Sequence, residues 1–162
     1  MRRPHLWLLL VGLLVLQGCA TFVVEQETTE GPTAEEIWKH RFALANRRAP
    51  GFEEKLTFQD QLDQRMRQHL ARNPEAANSL RGSHLRFWYQ VSTGMTKEEV
   101  RLLLGAPDEV AVDQARLEVL ARKFWPQVKE KAKEAWTYPG GWNLFFAGER
   151  LVTLTQYRRQ FL

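Results

Sequence analysis

The chain has 162 residues, of which 44% are hydrophobic and 26% charged, so it is long enough for one globular domain with a terminal extension. Its net charge of +4 falls to +2 without Arg2 and Arg3, because 21 basic side chains then stand against 19 acidic ones. No Lys/Arg cluster is interleaved with aromatic residues, which argues against nucleic acid as a partner. The single Cys excludes an internal disulfide and a multi-cysteine metal site.

The first nineteen residues have the layout of a secretory signal. Residues 1–5 form a basic head, and residues 6–16 form an apolar run shorter than the roughly 20 residues of a membrane span. The letters L-Q-G-C at residues 16–19 follow at once and resemble the lipobox of bacterial lipoproteins. The resemblance implies that residues 1–18 are a signal peptide and that Cys19 becomes the lipidated mature N-terminus. The alternative is an uncleaved N-terminal anchor with a coincidental Cys.

Lipidation of Cys19 would attach the protein to a membrane without a spanning helix. Each buried methylene contributes about 0.8 kcal/mol, so two or more acyl chains, such as palmitate, give durable attachment. Ala20, rather than Asp, follows the Cys, and by resemblance to Gram-negative lipoproteins this favours sorting to the outer membrane. We therefore expect a lipid-anchored outer-membrane protein that faces the periplasm.

Two helices are predicted after a polar connection. Residues 19–32 are rich in Thr and Glu and end in Gly-Pro, which predicts a tether. Thr33 begins a capping-box pattern for a helix to about Arg47, and a second helix is expected from about Thr57 to Arg72. This helical N-terminal region, residues 33–72, either packs on the common core, which is favoured, or forms a partner-binding arm. His69 lies beside the apolar face of the second helix. It is expected to be packed or solvated rather than a ligand.

A new helix is predicted to begin at residue 73. Asn73 followed by Pro74 predicts the cap and first position of a short helix that reaches Leu80 or Arg81. Residues 85–91, L-R-F-W-Y-Q-V, fit both strand alternation and helical spacing. An extended conformation leading into the following helix is favoured.

The best-specified helix follows at once. Thr96 can serve as its N-cap with Glu99 three residues later, and Met95 can pack on Val100, which completes a capping box and a hydrophobic staple. Gly105 follows the last helical residue, at the position that favours a left-handed C-cap. Helix bounds are therefore predicted at both ends by short-range signals.

A long charged segment then separates this helix from the strands. Residues 113–135 carry apolar residues at helical spacing and predict an inserted helix, in which Pro126 produces either a kink or a fresh start. Its basic residues Lys129, Lys131 and Lys133 are interrupted by Glu. A solvated face explains this run better than a lipid-headgroup site does.

The chain closes with a predicted β-meander. Trp136 to Tyr138, Trp142 to Phe146 and Leu151 to Thr155 are rich in aromatic and β-branched residues and are separated by Gly-containing turns. The capped helix covers this sheet. The fold class predicted is α+β, with helices packed on a small three-stranded antiparallel meander in two layers and additional helices at the N-terminus.

Phe145 is the candidate partner-binding residue, because it points away from the face that Trp142, Leu144 and Phe146 share. It is either buried by a second layer, for which the N-terminal helices are the favoured cover, or part of an exposed apolar patch. Depending on register, the residues of the last strand that point the same way are Leu151, Thr153 and Thr155, or Val152 and Leu154.

Several of these letters together resemble a known family. G-M-T-K-E-E-V-R-L-L-L-G-A-P at residues 94–107, with W-x-Y at 136–138 and F-x-G at 146–148, is similar to the BamE/SmpA/OmlA family of small bacterial outer-membrane lipoproteins. The resemblance covers about Asn73 to Gln156, within an expected domain of residues 73–162 that contains the inserted helix 113–135. The structural motif residues are Gly94, Met95, Thr96, Glu99, Val100, Leu104, Gly105, Pro107, Trp136, Tyr138, Phe146 and Gly148.

No motif of catalysis or cofactor binding is present. Asp60 and Asp63 could be imagined as paired carboxylates, but adjacent Arg residues make a solvated face the better explanation. We expect no enzyme activity, cofactor or metal. The resemblance implies a protein-binding module in outer-membrane protein assembly or envelope integrity, anchored through Cys19, that docks on the β-barrel assembly machinery or on phospholipid. The alternative is a structural or adaptor periplasmic lipoprotein that uses the same fold for another envelope partner.

Overall fold

The computed structural model describes residues 21–161, so the predicted signal peptide and Cys19 lie outside the described residues. Within that range the strands are β1 (Thr21–Thr28), β2 (Glu30–Thr33), β3 (Gln90–Ser92), β4 (Glu109–Ala111), β5 (Glu134–Tyr138), β6 (Trp142–Ala147) and β7 (Arg150–Phe161). The helices are α1 (Ala34–Asn46), α2 (Phe52–Arg72), α3 (Pro74–Ala77), α4 (Leu80–Ser83), α5 (Lys97–Leu104), α6 (Gln114–Ala121) and α7 (Trp125–Val128). A π-helical turn, His84–Trp88, leads into β3, and a 3-10 turn, Arg122–Phe124, joins α6 to α7.

The main sheet is antiparallel and has five strands in the order β1-β7-β6-β5-β4. Helices on an antiparallel sheet were predicted, but the predicted three-stranded size is wrong, because β1 and β4 add the two edges. β7 is also longer than predicted, and its second half pairs with β1 from Thr28↔Leu154 to Thr21↔Phe161. The smaller sheet pairs β2 with β3.

The predicted tether is wrong for residues 21–32, which form β1, a bend at Thr29 and most of β2. No residue from Val23 to Thr28 is fully buried, so this edge strand has no apolar alternation that would have revealed it. Gly31 lies inside β2 rather than in a turn. A Cβ at Gly31 would be 2.5 Å from Leu154 Cδ2, so the strand approaches the core as closely as only Gly allows.

One face of the sheet carries the larger core. Trp142, Leu144 and Phe146 of β6 point to this face, and buried residues of α5 pack on them. Ile37 of α1 and Leu62 of α2 belong to the same cluster. The N-terminal helices therefore pack on the common core, as favoured from the sequence.

The opposite face carries a second core, so the molecule has three layers rather than the predicted two. Phe145 is fully buried there against Leu117 and Ala121 of α6 and Val128 of α7. Its assignment as a partner-binding residue is therefore wrong. The predicted burial is correct, but the cover is the inserted segment and not the N-terminal helices.

The predicted inserted helix is divided. Asp113 accepts a hydrogen bond from Arg116 N at 3.0 Å and begins α6, which ends at Arg122 with φ of +53°. Pro126 occupies the first turn of α7, where its missing N–H has no helical partner to lose, so it marks a fresh start. After α7 the chain runs through a turn into β5, where Lys133 N donates to Phe146 O at 2.9 Å.

A bulge settles the register of the last strand. Phe145 pairs with Thr153 and Phe146 with Leu151, so Val152 is the extra residue. Leu151 and Leu154 consequently both join the larger core, while Val152 packs on the smaller one. Neither of the two residue sets expected from strict alternation is correct.

The short-range helix signals agree with the structure. Thr96 N donates to Glu99 Oε2 at 2.7 Å and Glu99 N donates to Thr96 Oγ1 at 3.1 Å, which is the predicted capping box of α5. Gly105 ends this helix as predicted, but with φ of +75° and ψ of −163° it is extended at positive φ rather than in the predicted left-handed helical conformation. Tyr138 Oη donates to its carbonyl oxygen at 3.0 Å. Arg41 of α1 also donates to Leu104 O at 2.8 Å, so α1 closes the carboxyl end of α5.

Three other predictions of local structure are wrong. The helix that begins at Pro74 ends at Ala77 rather than at Leu80 or Arg81. α2 begins at Phe52 rather than Thr57, because Glu54 accepts from Gly51 N at 2.7 Å and caps the helix without a Ser or Thr. The stretch predicted as extended is helical from His84 to Trp88 and extended only from Gln90. The rings of His84 and Trp88 meet edge to face at 4.8 Å, a contact that needs helical spacing.

Candidate functional site

Three consecutive aromatic residues form an exposed surface feature, which we call the aromatic ridge: Phe87, Trp88 and Tyr89. Phe87 is 66% exposed and Trp88 57% exposed, although the neighbouring His84 and Leu85 are buried and hold the turn on the core. Large apolar side chains that share one exposed patch are the usual sign of an interaction surface.

Tyr89 has a strained backbone at the end of the ridge. Its φ of +47° lies in the left-handed region, which costs a residue with a Cβ about 1 to 3 kcal/mol. Two contacts hold it there: Ala34 N donates to Tyr89 O at 2.8 Å, and Tyr89 Oη donates to the Asp63 carboxylate. Burial, and then the bond to Asp63, raises the pKa of Tyr89 to about 12, so the hydroxyl remains a proton donor at neutral pH.

The hydrogen bond between Tyr89 and Asp63 lies between two open grooves. The larger, of about 570 Å³, is lined by Asp63, Met66, Arg67, Leu70, Ala71, Ala77, Arg86 and Tyr89. The smaller, of about 290 Å³, is lined by Thr33, Glu35, Phe58, Gln59, Leu62, Asp63, Trp88 and Tyr89. An apolar floor with Tyr, Trp and Arg around it has the composition of a protein-binding hot spot.

The structural motif residues lie in the core and its turns rather than on the ridge. Seven of them are buried: Met95, Glu99, Val100, Leu104, Trp136, Tyr138 and Phe146. The three glycines have positive φ, at Gly94, Gly105 and Gly148. Thr96 and Glu99 cap α5, and Pro107 follows that helix half-buried. Each therefore has a structural role in this chain.

Glu99 has a second role that its position in a capping box does not indicate. Its carboxylate is 3.1 Å from Arg81 Nε and 3.9 Å from His69 Nε2, and the residue is only 2% exposed. These three side chains form a buried polar cluster that joins α2, α4 and α5. His69 is thus packed, as expected from the sequence, and the buried carboxylate is out of reach of a substrate.

Across residues 21–161 no group of three or more His, Cys, Asp or Glu side chains is placed to hold a metal ion. Over the same range no helix is both long and apolar enough to cross a membrane. The aromatic ridge with its grooves is the candidate site, because it exposes large apolar side chains.

Sequence reasoning missed this site for a specific reason. Asp63 was assigned to a solvated face, whereas it accepts the bond from Tyr89 across 26 residues of chain. The signal that could have revealed the ridge is the run Phe87-Trp88-Tyr89 itself. Three adjacent aromatic side chains cannot all enter one core face in either a strand or a helix.

Comparison with known proteins gave no match: no family model, no curated protein and no solved structure matches this chain. The resemblance to the BamE/SmpA/OmlA family thus stays a prediction from its motif letters. The function of this chain is therefore inferred from its own exposed surface.

Proposed function

We propose that this protein is a non-enzymatic, lipid-anchored lipoprotein of the cell envelope that binds a protein partner through the aromatic ridge. The observation that carries the proposal is the exposure of Phe87 and Trp88 on a turn whose last residues line the grooves, Trp88 the smaller one and Tyr89 both. An aromatic side chain can bury 150 to 250 Å² in an interface, and leaving two of them in water forgoes that stabilisation. A partner that covers the ridge restores it.

The resemblance supports a partner in outer-membrane protein assembly, with the β-barrel assembly machinery as the first candidate. Under this proposal Cys19 anchors the protein to the outer membrane and the domain faces the periplasm, where the ridge meets the partner. No cofactor takes part, because binding is the whole function.

A second candidate function is an adaptor lipoprotein with a different envelope partner. The observation that favours it is which part of the chain forms the walls of the grooves. Met66 and Leu70 of the larger groove belong to α2, which lies before the region of resemblance that begins at Asn73. Most of the groove lining thus lies outside the region of resemblance and would select a partner of its own.

The ridge is tested by partner recovery from detergent-solubilised envelopes. The double variant Phe87→Ala/Trp88→Ala should recover at least about ten-fold less partner than the wild type, because hot-spot truncations cost 2 kcal/mol or more each. The matched control is Leu44→Ala/Phe52→Ala, which removes two apolar side chains of similar exposure, 70% and 71%, from α1 and α2.

The control should recover the partner as the wild type does, and both variants should keep the wild-type melting temperature. Equal recovery by the two variants would locate the binding surface elsewhere. Mass spectrometry of the recovered proteins separates the two candidate functions. Components of the β-barrel assembly machinery support the first, whereas another stable partner supports the second.

The lipid anchor is tested by the intact mass of the membrane-extracted protein. We expect a mature chain that begins at Cys19 and carries lipid, because the lipobox-like letters directly follow the apolar run. The Cys19→Ala variant should lack the mass of the lipid. A Cys19→Ala protein that stays in the membrane at its full precursor mass would show an uncleaved anchor instead.

A further inference from the structure

The larger groove carries positive charge beside its apolar floor. Of the eight described residues that line it, three are charged: Asp63, Arg67 and Arg86. The Asp63 carboxylate is already engaged, because it accepts the hydrogen bond from Tyr89 Oη. The two guanidinium groups therefore set the charge that a partner meets in this groove.

Both guanidinium groups are accessible to a partner. The Arg67 side chain is 74% exposed, and its Nη1 lies 3.9 Å from Asp63 Oδ2, which is too long for a hydrogen bond. Arg86 is exposed on the π-helical turn, where its Cζ lies 5.9 Å from the centre of the Phe87 ring. The two cations thus come from two different elements that line the groove, α2 and the turn.

The smaller groove differs in charge. Its charged residues, among those described as lining it, are Glu35 and Asp63. Glu35 Oε1 is paired with Lys39 Nζ at 2.5 Å, and Asp63 is bonded to Tyr89. A carboxylate of a partner therefore meets a cation in the lining of the larger groove and meets none in the described lining of the smaller one.

We propose that the larger groove binds an acidic segment of the partner protein, whose apolar side chain packs on Met66 and Leu70 and whose carboxylates bind Arg67 and Arg86. The proposal rests on the proposed function, because it names the kind of segment that binds beside the aromatic ridge. A carboxylate matches the planar donor fork of a guanidinium and can accept two hydrogen bonds from it. Complementary charge of this kind selects the partner as well as strengthening its binding.

The exposed rings of the ridge favour a protein segment over a small anion. Phe87 and Trp88 directly follow Arg86 in the chain, and both rings are exposed until a partner covers them. A free carboxylate or phosphate would reach the arginines but would leave the rings in water. An acidic segment that also carries apolar side chains contacts both parts of this surface.

The test selects ligands from a display library of short random peptides, with the full protein in a nonionic detergent as bait. Peptides that the wild type enriches should combine Asp or Glu with a large apolar residue. Arg67→Glu/Arg86→Glu should enrich peptides with Lys or Arg instead, because the charge of the groove is reversed. The matched control is Arg65→Glu/Arg72→Glu, which makes the same charge change at two exposed arginines of α2 outside both grooves. It should enrich the same peptides as the wild type.

Fluorescence anisotropy with synthetic copies of the enriched peptides measures the size of the effect. The best wild-type peptide should bind Arg67→Glu/Arg86→Glu at least about ten-fold more weakly, since like charges then face each other. Arg67→Gln/Arg86→Gln, which removes the charge without adding a carboxylate, should also weaken binding, and the control should leave it unchanged. Acidic peptides that bind both groove variants as tightly as the wild type overturn the proposal, because their site then lies elsewhere.

A library that yields no enriched peptide also overturns the proposal, and two measurements then identify a different occupant. Sedimentation velocity would show a wild-type dimer that Arg67→Glu/Arg86→Glu dissociates, if a second copy of the chain binds in the groove. Phosphatidylglycerol retained by the wild type and not by this variant would show that the occupant is a lipid.

Partner recovery from envelopes separates this proposal from the proposed function. A partner that is lost by Phe87→Ala/Trp88→Ala but retained by Arg67→Glu/Arg86→Glu overturns the acidic segment alone. A partner that both variants retain overturns the aromatic ridge and this proposal together.

Discussion

Phe145→Ser should destabilise the protein by about 3 kcal/mol or more, as truncation of a core aromatic does. Phe145 is fully buried between the sheet and the inserted segment, where it contacts the smaller core. Serine would leave a cavity and place a hydroxyl among apolar side chains. Thermal melts should show a fall of roughly 6 to 12 °C for a chain of this size.

Phe52→Ser is the matched control, because it makes the same chemical change at a residue that is 71% exposed. Its melting temperature should stay close to that of the wild type, since surface substitutions change stability by about 0.5 kcal/mol or less. A folded Phe145→Ser protein with an unchanged midpoint and a lost partner would show that this face of the sheet is open. That result would restore Phe145 as a binding residue.

Glu99→Ala should also cost about 3 kcal/mol or more, because the Glu99 carboxylate serves two groups at once. It accepts the hydrogen bond from Thr96 N at the start of α5, where loss of a cap costs about 1 kcal/mol. It also lies 3.1 Å from Arg81 Nε in the buried polar cluster. Removing one partner of a buried pair typically costs 3 to 5 kcal/mol, since the other charge is left without compensation.

Two further variants separate these contributions in denaturant unfolding. Glu99→Gln keeps an acceptor for the cap and removes the charge, so its loss of stability should be smaller than that of Glu99→Ala. Glu98→Ala removes the neighbouring carboxylate, whose side chain is 79% exposed, and should change stability by about 0.5 kcal/mol or less. Equal losses for Glu98→Ala and Glu99→Ala would show that the buried cluster contributes nothing.

The three layers explain how the two cores and the ridge coexist in a chain of this length. The inserted segment covers one face of the sheet, while α1, α2 and α5 cover the other. Both faces are thus occupied by the chain itself. The exposed aromatic residues lie beyond these layers, on the turn that leads into β3, where a partner can reach them.

The candidate site depends on contacts that are distant in sequence. Asp63 and Tyr89 meet only because α2 packs beside the end of the π-helical turn. Periodicity along α2 identifies its buried stripe but says nothing about which element lies across its edge. The sequence contained the aromatic run, but the strained Tyr89 backbone and the grooves beside it arise from packing.

By itself the sequence determined the features that short-range energies decide. The capping box at Thr96 and Glu99, the end of α5 at Gly105, and the meander from β5 to β7 follow from hydrogen bonds and backbone preferences within a few residues. Only the tertiary structure decided the role of residues 21–33 and the cover over Phe145. β1 has a polar edge-strand composition and a partner about 130 residues away, so no local pattern could distinguish it from a tether.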